Sequence, residues 1–136
     1  MDEMKYSVLV VDDHPLMRKG IVQLLELEDN IEVIGEASNG TDAVAMAKES
    51  EPDLILLDLN MKGLSGLDTL KALRAEEVTS RVVILTVSDA RQDVVALLKA
   101  GADGYLLKDT EPDMLLGQLA DVMTGKQILS EPLRPY

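Results

Sequence analysis

Five polar side chains each stand at the close of an apolar run. Asp12 and Asp13 follow Val8-Leu9-Val10-Val11, Asp58 follows Leu54-Ile55-Leu56-Leu57, Thr86 follows Val82-Val83-Ile84-Leu85, and Lys108 follows Tyr105-Leu106-Leu107. If the four runs lie side by side as strands, three carboxylates, a hydroxyl and an ammonium meet in one crevice. Two carboxylates ~5 Å apart repel by ~3 kcal/mol at an effective dielectric of ~20, so three of them call for a counter-ion. Carboxylates, carbonyls and water are hard oxygen ligands, and the expected ion is Mg²⁺, with Mn²⁺ able to substitute. A cation and an ammonium side by side neutralise a phosphoryl group, and a hydroxyl can donate to one of its oxygens. Asp58 is the natural nucleophile, because a carboxylate can carry a phosphoryl as an acyl phosphate.

Each of these residues also has a plain structural reading. An Asp at a strand end can cap the next turn, and an acid pair can cap a helix. Lys108 can be a solvated strand-end charge and Thr86 an ordinary strand terminator. Recurrence at four corresponding strand ends is what favours the chemistry. His14 adjoins the acid pair and is a candidate metal ligand, but a polar residue at a helix start is the preferred reading of it.

The elements that must position these groups are legible. A short continuous apolar run reads as a strand buried on both faces, as in a parallel sheet covered by helices. Strands are expected at 6–11, 31–37, 54–57, 81–86 and 105–107, the second being weaker, partly alternating and nearer an edge. Pro15 opens a helix at its first turn, where a missing N–H costs nothing, and Met17, Ile21, Leu24 and Leu25 form its stripe. Thr41 is expected to cap a second helix over 42–50, and Leu67, Leu70 and Leu73 mark a third. A fourth helix spans 90–100, and a fifth opens near Pro112 and runs to about residue 125. Strands alternating with helices give a doubly wound α/β fold with five parallel strands and right-handed crossovers. In such sheets ligands sit at the carboxyl ends of the strands. Residues 1–125 read as one domain and 126–136, with Pro132 and Pro135, as the start of a linker.

The chain has 136 residues, enough for one domain with a full core. It contains no Cys, which removes disulfides, thiolate metal sites and thiol catalysis. No apolar run reaches the ~20 residues needed to span a bilayer, so no membrane role is expected and the location reads as cytoplasmic. The net charge is −12, a field that repels nucleic-acid phosphates and suits a divalent cation, so direct nucleic-acid binding by this chain is disfavoured.

Asp12-Asp13, Asp58, Thr86 and Lys108, in that order on five strand–helix units, resemble the receiver domain of a two-component response regulator. Closer marks are Val11-Asp12-Asp13-His14-Pro15, Gly35-Glu36-Ala37-Ser38-Asn39-Gly40 and the run from Ala100 to Asp109. They resemble the branch whose members carry a C-terminal helix-turn-helix of the NarL/LuxR type, and the run from Asp58 to Leu70 is similar to its nitrate/nitrite regulators. The resemblance implies a CheY-like sheet of order 2-1-3-4-5 and a phosphoacceptor, Asp58, served by the phosphohistidine of a sensor histidine kinase. It implies direct Mg²⁺ ligation by Asp13, Asp58 and the backbone carbonyl of Asn60, with Asp12 acting largely through water. Lys108 would pair with the phosphoryl group, Thr86 would swing toward it, and Tyr105 would move inward behind Thr86. The implied partners are the kinase and the chain's own C-terminal DNA-binding domain, which lies outside this sequence. Most receivers have Pro where this chain has Lys62, a departure expected to loosen the loop after Asp58. Val87 follows the switch Thr with more bulk than many receivers carry, and is expected to slow dephosphorylation.

The fourth and fifth helices are apolar over more of their surface than one sheet face requires, through Val94, Val95, Leu97, Leu98, Met114, Leu115, Leu116, Leu119, Val122 and Met123. A generous core contact is one reading; an output face formed with the fifth strand, meeting a partner or a second subunit in a homodimer, is the other. Among rival functions, a phospho-Asp phosphohydrolase usually needs a second acid two residues after its nucleophile, where this chain has Asn60. A flavodoxin-like nucleotide binder would place phosphate against Asp12-Asp13, which repel it. A receiver that has lost phosphorylation is disfavoured by the complete set of five site residues.

Overall fold

The computed structural model describes residues 6–28, 31–59, 61, 65–86, 95–97, 99–107, 117 and 128–129. The five apolar runs are strands: β1 (Tyr6–Val11), β2 (Ile31–Ala37), β3 (Leu54–Asp58), β4 (Arg81–Thr86) and β5 (Gly104–Leu107). Three helices fall between the first four of them: α1 (Pro15–Glu26), α2 (Gly40–Ser50) and α3 (Gly66–Ala75). Residues 95–97 and 99 are helical ahead of β5, and Gly117 is helical after it. The rest of the two helices expected there lies outside the described residues.

The five strands are parallel and ordered β2-β1-β3-β4-β5, with β2 at the edge as its weaker pattern predicted. A sixth, two-residue strand, β6 (Ile128–Leu129), pairs parallel to the outer side of β5. The sequence reading placed only a linker at that position; two residues are too few to show a period.

Continuous apolar runs arise because each strand feeds two cores. Leu9, Val11, Ile55, Leu57, Val82 and Ile84 pack on one face with Ala43 and Ala47 of α2 and Leu70 and Leu73 of α3. Val8, Val10, Leu54, Leu56, Val83 and Leu85 pack on the other with Ile21, Val22 and Leu25 of α1. Each fully buried Leu, Ile or Val contributes roughly 1.5–3 kcal/mol, so the central strand β3, buried at every position, anchors the sheet.

Two local expectations are corrected. The buried residues of α1 are Ile21, Val22 and Leu25, with Leu24 partly buried against the same core; Met17 is exposed and outside the stripe. The cap of α2 is Asn39 rather than Thr41: its side chain accepts from the Asp42 backbone N–H at 2.8 Å. The helix therefore begins at Gly40, and Thr41 falls inside its first turn. The entry to β5 is held by Arg74 of α3, whose guanidinium donates to the carbonyls of Val78, Ser80 and Gly101 and meets Asp103 at 3.2 Å. Gly101 takes φ +104°, a backbone that side chains with a Cβ rarely adopt.

Candidate functional site

Strand register brings the acids together. Val11 of β1 pairs with Leu57 of β3, so Asp12 and Asp58 leave neighbouring strands at the same level. Asp58 in turn pairs with Leu85, one residue before Thr86, and Thr86 pairs with Leu107, the residue before Lys108. The expected alignment of strand ends is therefore present in the backbone up to Leu107. Lys108, Asn60, Lys62 and Val87 lie outside the described residues.

Asp12 and Asp58 are almost wholly buried, at 1% and 3% exposure, and Asp13 is half-buried. The backbone around them is tied down. The Asp12 N–H donates to the Ala37 carbonyl of β2 at 3.1 Å, and the Asp12 carboxylate accepts the His14 N–H at 2.8 Å. Asp58 is followed by a close crossing: the Gly66 N–H donates to the Leu59 carbonyl at 2.9 Å. A Cβ at Gly66 would stand 2.6 Å from both the Asp58 carbonyl oxygen and the Leu59 Cα, so only glycine lets α3 start this close to Asp58. Ser65 caps α3 by accepting from the Asp68 N–H.

His14 ends up inside the cluster. It is the N-cap residue of α1, yet its side chain makes no capping hydrogen bond. Its Nδ1 lies 2.9 Å from Asp13 Oδ1, 3.2 Å from Asp12 Oδ1 and 4.0 Å from Asp58 Oδ2. One donor atom from each of Asp12, Asp13, His14 and Asp58 falls within 4.8 Å of all the others. Three carboxylates this close fit a bound divalent cation, which offsets their repulsion.

The "Response regulator receiver domain" family matches residues 8–120 of the chain. This chain is a response-regulator receiver domain. It is 60% identical over 130 residues to the nitrate/nitrite response regulator protein homolog of Haemophilus influenzae, covering 96% of this chain and 62% of that protein. It is 54% identical over 131 residues to the nitrate/nitrite response regulator NarP of Escherichia coli, covering 96% of this chain and 61% of that one. The receiver thus spans about three fifths of the length of these curated relatives. Among solved structures, a LuxR-family two-component response regulator from Aurantimonas superposes with a TM-score of 0.92 at 26% identity, over 96% of this chain and 94% of that one. Receivers of this family are signalling proteins, and among the described residues no helix is long and apolar enough to cross a membrane.

Two supports of the receiver's site escaped the sequence reading. Arg18 of α1 donates from Nη1 to the Asp12 carbonyl oxygen at 2.8 Å and from Nε to Glu36 of β2 at 3.1 Å. Lys19 adds a second, more exposed contact to Glu36. The available signal was a pair of bases six and seven residues past Asp12 on an otherwise acidic rim; nothing in their spacing pointed to Glu36. Tyr105 is fully buried, packed in the core face shared by α2 and α3.

Proposed function

We propose that Asp58 accepts a phosphoryl group from the phosphohistidine of a sensor kinase. The observation that carries this reading is the convergence of Asp12, Asp13 and Asp58 within 4.8 Å at one rim of the sheet. An Asp58 oxygen attacks phosphorus, the P–N bond of the phosphohistidine breaks with its electrons returning to the imidazole, and an acyl phosphate forms on residue 58. Burial of Asp58 keeps bulk water from competing. Asp13 and Asp58, with the Asn60 carbonyl, would hold Mg²⁺, or Mn²⁺ in its place, with Asp12 acting largely through water. The bound cation supplies positive charge against the oxygens of the transferring group. Lys108 adds a second positive charge, and Thr86 donates to a phosphoryl oxygen. Slow self-hydrolysis of the acyl phosphate resets the domain; no turnover substrate is needed.

Output runs through Thr86, Tyr105 and the surface formed by β5 with the helices on either side of it. Phosphorylation shifts an equilibrium between two packings of that surface. The signal passes to a C-terminal DNA-binding domain beyond residues 126–136, in a cytoplasmic transcription factor responding to nitrate or nitrite, as the names of its relatives indicate. A homodimer formed on the same surface is the further partner.

Incubation with acetyl phosphate and Mg²⁺, followed by intact and peptide mass spectrometry, tests the reading. The expected result is the mass of one phosphoryl group on the peptide containing Asp58, absent in Asp58→Asn and absent with chelator. Unmodified wild-type protein overturns it, and turnover of p-nitrophenyl phosphate would favour a phosphohydrolase instead.

A further inference from the structure

We infer that His14 is a ligand of the metal, so that the site carries one nitrogen donor beside its carboxylates and favours Mn²⁺ and later transition metals over Mg²⁺. The inference rests on the proposed cation site and deepens it. In an octahedral shell with bonds of ~2.1 Å, adjacent ligand atoms stand ~3.0 Å apart and opposite ones ~4.2 Å. His14 Nδ1 lies 2.9 Å and 3.2 Å from the Asp13 and Asp12 oxygens, at adjacent spacing, and 4.0 Å from the Asp58 oxygen, close to opposite spacing. One N–H directs its proton along one line and serves one acceptor well. The three carboxylate oxygens and His14 Nδ1 all lie within 4.8 Å of one another, so a cation among them would have all four residues within reach.

The backbone supports the same assignment. His14 holds the N-cap position with φ −98° and ψ 107°, where Asn39 and Ser65, at the other helix starts among the described residues, use their side chains as caps. The His14 ring instead turns back over the acid pair. It is 67% exposed, so Nε2 can keep its proton in solvent while the Nδ1 lone pair faces the ion. Imidazole suits transition metals, whereas Mg²⁺ keeps to oxygen.

Pulsed electron paramagnetic resonance on the Mn²⁺-loaded chain reads the ligand directly. His14 is the sole histidine of the sequence, so a directly bound imidazole nitrogen has one source. The expected result is a ¹⁴N coupling that converts to ¹⁵N when only histidine is isotopically labelled and disappears in His14→Ala. Titration should then show Mn²⁺ affinity falling in His14→Ala by at least the ~10-fold that loss of an outer-shell partner already costs, with Mg²⁺ affinity changing far less. Mn²⁺ bound with no nitrogen coupling, or equal losses for both metals, overturns the inference and leaves the carboxylate site standing. Failure of Mn²⁺ and Mg²⁺ to bind at all overturns the cation site itself. Circular dichroism of His14→Ala, an exposed position, separates loss of a ligand from loss of the fold.

Discussion

Arg18 and Asp12 are joined by a 2.8 Å hydrogen bond from the guanidinium to the Asp12 main-chain carbonyl, while the same side chain meets Glu36 on the neighbouring strand. One helix residue thereby fixes the turn that carries the acid pair. Arg18→Ala leaves a part-buried carbonyl and Glu36 without this donor, which costs about 1–3 kcal/mol. Urea unfolding should record that loss, and phosphorylation by acetyl phosphate should slow. Arg18→Lys should recover little, because an ammonium cannot span both acceptors with a fixed fork. Wild-type stability in Arg18→Ala would show the contact to be idle.

Gly66 is expected to be intolerant of any side chain. Its Cβ would meet backbone atoms of Asp58 and Leu59, which cannot rotate away as a side chain could. Gly66→Ala should destabilise by about 1–3 kcal/mol, as overpacking does, and should displace Asp58. Phosphorylation rate and unfolding midpoint are both to be measured; a variant normal in both would show that α3 can shift without loss.

Asp58→Asn should raise stability in the absence of metal while abolishing phosphorylation. Removing one of three clustered carboxylates relieves like-charge repulsion, a gain of about 1–2 kcal/mol after screening by the surroundings. Mg²⁺ should then stabilise the wild type and have little effect on the variant, because a ligand raises stability only through the state that binds it. Thermal melts with Mg²⁺ and with chelator check both signs. A variant less stable than wild type without metal would mean that Asp58 gains more from its surroundings than it loses to the other acids.

Leu16 is 91% exposed in the first turn of α1, two residues after His14. A kinase domain delivering phosphate to Asp58 has to approach across this rim, and an exposed Leu there offers apolar contact. Leu16→Glu should cut phosphotransfer from the kinase by about tenfold, the equivalent of ~1.4 kcal/mol of lost contact, and leave acetyl phosphate labelling unchanged. Equal loss with both donors would place the defect in the site rather than in docking.

The inner strands were readable because a sheet covered on both sides leaves little room for polar side chains along them, whereas the edge strand β2 carries Glu32 and Glu36. The run Leu54-Ile55-Leu56-Leu57 admits no other comfortable burial in a domain of this size. Their ends were readable for the same reason, since the first charge after such a run marks where the chain regains solvent. Helix starts were less legible: Asn39 and Thr41 are both good caps, and geometry rather than residue type chose Asn39.

From the order of residues alone came the parallel sheet, through burial period and crossover handedness, and the placing of Asp12, Asp13 and Asp58 at strand ends; the strand order that brings those ends together at one rim came from the resemblance to receivers. The rotation of His14 into that rim, the reach of Arg18 to Glu36 and the close crossing at Gly66 depended on folding in three dimensions. Each joins parts of the chain through side-chain direction or backbone clearance, and neither quantity is carried by residue type or spacing.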